Sequence, residues 1–574
     1  MMFDKNAGEI MLNTLSEWGV DHIYGLPGDS INHFVENLRN AQDRMKFIQV
    51  RHEEVGALAA ASYAKITGKI GVCLSIAGPG AVHLLNGLYD AKADGVPVLV
   101  IAGQIASDQL GMDQFQEVNL ERMFDDVSVF NRRVETSDSL PDLTHQAIRT
   151  AVEKKGVAIL TIPDDLAAEK VKQKIENTSL IRSKAVVHPH DSNLNEAVAL
   201  LKEAKRPVIL AGKGSKHARE ELLNFAEKAG APVILSLPGK GAIPDVHPYN
   251  LGQLGQIGTK PAYEAMEETD LLIMVGTSFP YRDYLPDKAK AIQIDIEPTQ
   301  IGKRYPVTVG LIGDAKWTLS YLTDHTSYQE DRDFIEKCQE NMKNWWAHLE
   351  KIESEESTPI KPQQIMPQLQ KVVDDNAVLS VDVGNVTVWA SRHFRVTNQK
   401  FIISSWMATM GCGLPGAIAG KIAHPDRQAV AICGDGGFTM VMQDFLTAVK
   451  YKLPMMVVIL NNERLGMIKY EQQEIGNIDF ETELKDFNFA AFAETAGGEG
   501  YRVEKYEELL PAFERAAKST KPAIVDIVIE EQPPLPGKIT YEQAASYSKY
   551  MLKKAFEEQE IDMPPLKKAL KRIF

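Results

Sequence analysis

Residues 428–437 read QAVAICGDGG, and residues 455–462 read MMVVILNN. Each is an apolar run of strand length that stops on small polar residues, the pattern of buried strands in a parallel sheet. In open sheets of this kind ligands collect beyond the carboxyl ends of the strands, and here those ends carry Gly434-Asp435-Gly436 and Asn461-Asn462. A carboxylate and an amide oxygen on adjacent strand ends can bind Mg2+, and the glycines beside them let a diphosphate approach the main chain. Gly-Asp-Gly alone reads as a turn; its spacing to Asn461-Asn462 turns the reading toward a ligand site.

The same strand pattern recurs outward along the chain. NAVLSVDVG and AIVDIVIE belong to the last unit; RPVILAGKGS, APVILSLPGKG, LLIMVGTSFPY and AIQIDIEP form a middle one from Arg206; IGVCLSIAGPG, VPVLVIAG and GVAILTIP alternate with helical patterns before residue 180. A chain of 574 residues exceeds what one core organises. The expected fold class is therefore α/β, with three consecutive Rossmann-like domains built on mainly parallel sheets, at 1–180, 190–340 and 358–535, and a short helical tail at 536–574. Between Asp324 and Pro362 the charged stretch QEDRDFIEKCQENMKNWWAHLEKIESEE reads as a surface helix and a polar connection.

The formal charge of −15 argues against nucleic acid as a partner. Cys73, Cys338, Cys412 and Cys433 lack C-x-x-C spacing and read as reduced core residues. The start MMFDKNAGEIMLNTL has no apolar leader, and no long uncharged apolar stretch follows, so a cytoplasmic protein is expected.

The GDG and NN pair at this spacing resembles the thiamine diphosphate motif of the decarboxylase and oxidase superfamily, a likeness that runs along essentially the whole chain. It implies a pyrimidine-binding first domain, an FAD-binding central domain and a third domain for diphosphate and Mg2+. It also implies Asp435, Asn462 and the main-chain carbonyl of Arg464 as metal ligands. Val383, Ala408, Thr409, Met410, Gly436, Gly437, Leu465 and Gly466 would then contact the cofactor, with Met410 bending its two rings. Arg51-His52-Glu53-Glu54-Val55-Gly56-Ala57 resembles the family's glutamate motif. A buried carboxyl group against the aminopyrimidine favours the tautomer that removes the C2 proton, the role expected of Glu53. The other reading of Glu53-Glu54 is an acidic first helical turn stabilised by the helix dipole. In this superfamily the glutamate and the metal site face each other across a subunit interface, which implies a dimer at least; a homotetramer is expected.

The middle unit separates the branches, because simple decarboxylases need no flavin. Gly252-Gln253-Leu254-Gly255, Gly276-Thr277-Ser278-Phe279-Pro280 and Asp295 resemble flavin and ribose contacts. Gly212 and Gly214 read either as a phosphate turn or as loop punctuation. YGLPGDSIN, VRHEEVGALAA, AGPGAVHLLNGLYDA, FQEVN, ISSWMATMGCGLPGAIAG and NNERLGMIKYEQ are similar to the pyruvate oxidases and pyruvate:quinone oxidoreductases. The likeness implies oxidative decarboxylation of pyruvate to acetate and CO2 through hydroxyethyl-thiamine diphosphate, with electrons passing to FAD and then a quinone. Phe115, Gln116, Val383, Met467, Ile468 and Glu471 would line the substrate space. The alternatives are a phosphate- and O2-dependent oxidase making acetyl phosphate and hydrogen peroxide, and an acetolactate synthase-type carboligase.

Asp29 bears on the acyl acceptor. Phosphate-using relatives carry glycine at its place, and an aspartate about 4 Å from bound phosphate would cost on the order of 4 kcal/mol, so water is favoured. Asp29 also reads as a turn or helix cap. In the last residues, Leu566, Ala569, Leu570, Ile573 and Phe574 share one helical face and Lys567, Lys568, Lys571 and Arg572 the other. That tail either touches anionic lipid peripherally or docks on its own subunit.

Overall fold

The computed structural model describes residues 5–171, 185–534, 549–550 and 553. The basic amphipathic stretch at the C-terminus lies outside the described residues.

Three six-stranded sheets follow one another, each wholly parallel and flanked by helices, as the alternation of apolar runs and helical patterns predicts. The first holds β1 (His22–Gly25), β2 (Lys46–Gln49), β3 (Gly71–Ser75), β4 (Val98–Gln104), β5 (Ser128–Arg133) and β6 (Val157–Pro163) in the order β2-β1-β3-β4-β6-β5. The second holds β7 (Pro207–Ala211), β8 (Val233–Leu235), β9 (Asn250–Gln253), β10 (Leu271–Val275), β11 (Lys290–Asp295) and β12 (Val309–Ile312), ordered β12-β11-β10-β7-β8-β9. The third holds β13 (Val378–Val381), β14 (Lys400–Ile402), β15 (Ala429–Gly434), β16 (Met456–Asn461), β17 (Glu499–Val503) and β18 (Ala523–Val528), ordered β14-β13-β15-β16-β18-β17. The outer two sheets therefore share one topology. The central sheet, numbered within itself, reverses direction between its first and fourth strands, the order of dinucleotide-binding folds.

Helices cover both faces of these sheets, so strands such as β4 and β10 are buried at every position and read as unbroken apolar runs. The charged stretch after Asp324 hides more than a surface helix. Asp333–Glu353 is helical, and Phe334, Cys338 and Met342 on its inner face pack with Leu272 and Met274 of β10.

The helix Glu53–Thr67 joins the outer domains. Twelve of its fifteen residues are buried, and six of the fifteen are alanine or glycine. Val55 packs with Leu414, Ala417 and Ile418 of the helix Gly413–Ala423, and Ala60 shares a core with Ala419 of the same helix. Small residues on both sides let the backbones close. A Cβ on Gly71 would stand 2.1 Å from the Ala60 carbonyl oxygen, and one on Gly87 would stand 2.6 Å from the Ala57 Cβ. Nearby, Lys65 lies 2.6 Å from both Asp90 and Asp94 and donates to the Ile403 carbonyl (3.1 Å). Ser405 donates to Asp94, and Lys213 of the central domain donates to its main-chain oxygen. Three domains meet at that aspartate.

Because backbone rather than a flexible side chain blocks the space at Gly71, Gly71→Ala is expected to cost about 1–3 kcal/mol. A urea unfolding midpoint equal to that of the parent protein would contradict this packing account.

Candidate active site

The carboxyl ends of β15 and β16 bring the two opening motifs together. Asp435 begins a helix directly after β15 and is buried, and that burial pushes its carboxyl up to about 7 against the pull of backbone N–H groups. The two asparagines divide their roles. Asn461 turns inward and donates to Asp526 (3.1 Å), whereas Asn462 points one end of its amide at both the Asp435 carboxylate (3.2 Å) and the Arg464 main-chain carbonyl (3.1 Å). With nitrogen at that end the amide bridges the two acceptors. With oxygen there, three oxygens converge without a donor, an arrangement that a hard cation resolves. Arg464 is anchored by Glu483 (2.5 Å) and Glu531 (2.8 Å), which fixes its carbonyl. Over the turn, a Cβ on Gly436 would meet Leu465 (2.9 Å) and Met410 (3.4 Å). Gly466 lies against Asn462 and Asn385.

Two residues here escape a sequence reading. Asp382, just past β13, is fully buried and accepts from Val383 N–H (2.7 Å), Gly411 N–H (2.8 Å) and Gly413 N–H (3.4 Å). It also lies where a Cβ on Gly437 would go, 2.9 Å away. One carboxylate thus holds the Met410 loop against the Gly-Asp-Gly turn. Burial raises it to about 6, with the three backbone N–H groups opposing. Asn385 lies with its amide nitrogen 2.7 Å from where a Cβ on Gly466 would stand, and its side-chain oxygen is buried with no hydrogen-bond partner among the described residues. In sequence, Asp382 and Asn385 are the polar end of one more strand, NAVLSVDVGN.

In the first domain Glu53 opens its helix and is 5% exposed, with Oε2 2.9 Å from His83 Nδ1. Glu54 instead accepts from Asn86 (2.6 Å), and Asn86 accepts from the Thr409 hydroxyl (3.0 Å) of the third domain. The acidic pair is thus split between an inward carboxyl and a domain contact. Gln116 and Ala408, both expected near ligands, have positive φ (62° and 52°), a backbone state unusual outside glycine.

Phe115 is 79% exposed and Ile468 44% exposed, and Glu471 is exposed as well; Gln116, Val383 and Met467 are half-buried. In a single chain the substrate-lining set stands open. Asp29 is exposed, opens the short 3-10 helix Asp29–Ile31 whose cap residue is Gly28, and accepts from the N–H of Ser30 (2.9 Å).

In the central domain, Gly252-Gln253-Leu254-Gly255 lie at the end of β9, Gly276 to Pro280 follow β10, and Asp295 ends β11, all on the carboxyl edge of the sheet. Phe279 is buried and meets Tyr281 edge-on. Burial raises the Asp295 carboxyl, its N–H bond from Glu297 opposing. Gly212 and Gly214 donate to the Val275 and Gly276 carbonyls (2.9 and 3.0 Å), so their N–H groups tie two strand ends together and are not offered to a phosphate. The cationic groups at that turn are Lys213 and Lys216, which sequence reading passed over. Both side chains are reached by water, yet protein surrounds them closely enough to lower both, Lys216 to about 8. Lys216 has only a long contact of 3.5 Å to the Phe401 carbonyl. A separate cavity of about 750 Å3, lined by Tyr263, Asp270, Tyr284 and Lys290, opens at the opposite, amino-terminal edge of this sheet.

Two like-ordered domains around a dinucleotide-ordered one, with an oxygen cluster at one set of strand ends, define a cofactor-dependent α/β enzyme. The chain matches the thiamine pyrophosphate enzymes in three parts: the N-terminal TPP binding domain over residues 5–123, the central domain over 194–322 and the C-terminal TPP binding domain over 382–527. It is 61% identical over 574 residues, covering 100% of both chains, to the Bacillus subtilis protein named "Putative thiamine pyrophosphate-containing protein YdaP". It is 36% identical to the pyruvate oxidase of Lactiplantibacillus plantarum, over 99% of this chain and 96% of that one. With an acetolactate synthase of Mycobacterium bovis it shares 31% identity over 91% and 88%. The chain belongs to the thiamine pyrophosphate enzyme family, and it is a thiamine diphosphate-dependent enzyme.

Asp382 yields a prediction with a definite sign. Its carboxyl ionises near 3.8 when unfolded and near 6 when folded, so above the lower value the native state holds the extra proton and stability falls as pH rises. Relative to Asp382→Asn, the parent protein should lose on the order of 3 kcal/mol between pH 4 and pH 7. Parallel pH profiles of the two urea midpoints would rule this out.

Proposed function

We propose that this enzyme oxidatively decarboxylates pyruvate to acetate, using Mg2+-bound thiamine diphosphate and FAD, with a quinone as the final acceptor. The observation that carries the cofactor half is the convergence of Asp435, Asn462 and the Arg464 carbonyl on one point, with nearby carboxylates buried against their charge. These three would hold the metal. Gly436, Gly437, Gly466 and the Asn385 amide nitrogen beside Gly466 fit a bound diphosphate edge, and Val383, Ala408, Thr409, Met410 and Leu465 its neighbours. Bound thiamine diphosphate supplies an electron sink that lets a 2-oxo acid lose CO2, and flavin accepts the electron pair.

The residues of the chain do the rest. Glu53 would present its buried carboxyl to the aminopyrimidine ring. Asp382 keeps the Met410 loop in register with the metal ligands. Phe115, Gln116, Met467, Ile468 and Glu471 orient the keto acid. For FAD, the wet and underpartnered Lys216 fits a phosphate charge, Asp295 a ribose, and the segments Gly252 to Gly255 and Gly276 to Pro280 the flavin side. The balance is pyruvate plus water giving acetate, CO2, two protons and two electrons. The support for pyruvate is the likeness to a pyruvate oxidase over almost the whole chain; water as acyl acceptor rests on Asp29, and the quinone on kinship. The open Phe115 and Ile468 faces favour completion of the site by a second copy, in a dimer or a homotetramer.

Anaerobic pyruvate should bleach the flavin band and yield acetate in proportion to quinone reduced. Phosphate-dependent acetyl phosphate with peroxide would replace this reading by the oxygen-linked one, and acetolactate without bleaching would refute the redox assignment. Asp435→Asn should weaken Mg2+ about a hundredfold, while Glu53→Gln should lower kcat about a hundred- to ten-thousandfold with cofactor affinity kept. Retention of full turnover by either variant would remove that residue from the site.

A further inference from the structure

His83 is the side chain that reaches Glu53. Its Nδ1 lies 2.9 Å from Glu53 Oε2, and the two groups differ sharply in access, the Glu53 side chain being 6% exposed and the imidazole 43%. One hydrogen bond therefore spans the distance from a buried carboxyl to water. The contact is built from several directions. His83 ends the short helix Pro79–His83. Gly80 in that helix stands where a Cβ would come 3.0 Å from Glu53 Oε1, so the segment can close over the carboxyl only without a side chain there. Gly78, at φ 60°, opens the segment against Gln116, where a Cβ would come 2.9 Å from the Gln116 carbonyl oxygen. Residues 78–83 thus touch two members of the expected site.

A second imidazole holds the first in place. The His52 ring stacks on His83 with centroids 4.4 Å apart and planes at 28°, and His52 Nδ1 lies 3.8 Å from Glu54 Oε2. The ligand atoms of His52, Glu53 and His83 all lie within 4.8 Å of one another. Stacked rings send their lone pairs side by side and not to a common point, so the cluster suits proton transfer better than tetrahedral metal binding.

We propose that His83 is a positioning residue and proton relay for Glu53, an inference that rests on the thiamine role assigned to Glu53. A partner serving only to neutralise a buried carboxylate would be a buried arginine or lysine. An imidazole gains and loses its proton near neutral pH, and this one opens to solvent. In the loading direction the imidazolium Nδ1–H gives its proton to Glu53 Oε2, and the neutral ring regains one from water. In the discharging direction the carboxyl proton returns to Nδ1 and leaves by the exposed edge. One proton moves in each case, with no change of oxidation state.

The test is the rate at which the C2 proton of bound thiamine diphosphate exchanges with deuterium, read by NMR after acid quench, beside cofactor affinity read by fluorescence titration. His83→Ala should slow exchange about tenfold or more and leave affinity essentially unchanged, and added imidazole should restore much of the rate. His83→Asn keeps an N–H donor toward Glu53 but cannot carry a proton, and should stay slow. Parent-like exchange in His83→Asn, or failure of imidazole to restore His83→Ala, would overturn the relay while leaving the thiamine reading intact. If Glu53→Gln exchanges at the parent rate, the role of Glu53 falls, and that of His83 with it.

Discussion

The helix Glu53–Thr67 has neighbours on all sides, and the closeness of those neighbours governs much of the molecule. Its alanines meet Gly71 and Gly87 within its own domain and the helix Gly413–Ala423 in the third. A methyl group added to such a contact has nowhere to go, because backbone atoms form the opposing surface. The position of Glu53 is thereby fixed by covalent geometry more than by its own hydrogen bonds. The other packed helix follows directly from the loop of Met410, whose N–H groups Asp382 gathers. Thus the carboxyl of the first domain and the loop of the third are carried by two helices that cannot slide independently.

Electrostatics works on the same frame at a cost. Asp435, Asp382 and Lys216 all sit where burial disfavours their charged forms. The Lys65 cluster with Asp90 and Asp94 is different, since opposite charges there offset desolvation and two aspartates raise the lysine in spite of it. Buried ion pairs contribute little net stability, but removal of one partner is costly. Such a cluster therefore specifies how the three domains meet.

Much of this was legible in the residues because buried parallel strands announce themselves as unbroken apolar runs, and the polar residues that end them fall on one edge. Asp435 and the pair Asn461-Asn462 are read in that way, Met410 from the family resemblance alone, and Asp435, Asn462 and Met410 lie around one turn. What sequence could not supply was direction. Asn461 and Asn462 differ only by which side of a strand end they face, and one binds Asp526 while the other meets Asp435. Glu53 and Glu54 differ in the same manner at a helix start. Gly212 and Gly214 have the spacing of a phosphate turn, yet their N–H groups are spent on β10 and its following turn. Asp382 looked like any strand end, because its contacts to the N–H groups of Gly411 and Gly413, about thirty residues away, leave no local pattern. The helix Asp333–Glu353 concealed its apolar face among charges, as a helix covering only one edge of a domain will.

The site divides into a closed half and an open half, and the division bears on how one frame serves several reactions. Asp435, Asp382 and Glu53, the groups proposed to handle charge, are buried, with Asn462 half-buried beside Asp435. Phe115, Ile468 and Glu471, the side chains proposed for substrate contact, are exposed among the described residues. Exchange of a confined residue disturbs backbone contacts across two domains, whereas an exposed one can change with little penalty to stability. Relatives named for oxidation and for carbon–carbon bond formation can therefore share the frame from end to end. On the proposed function, the choice of acceptor, whether water, phosphate or a second keto acid, would fall to a few side chains at the open face and to the exposed Asp29.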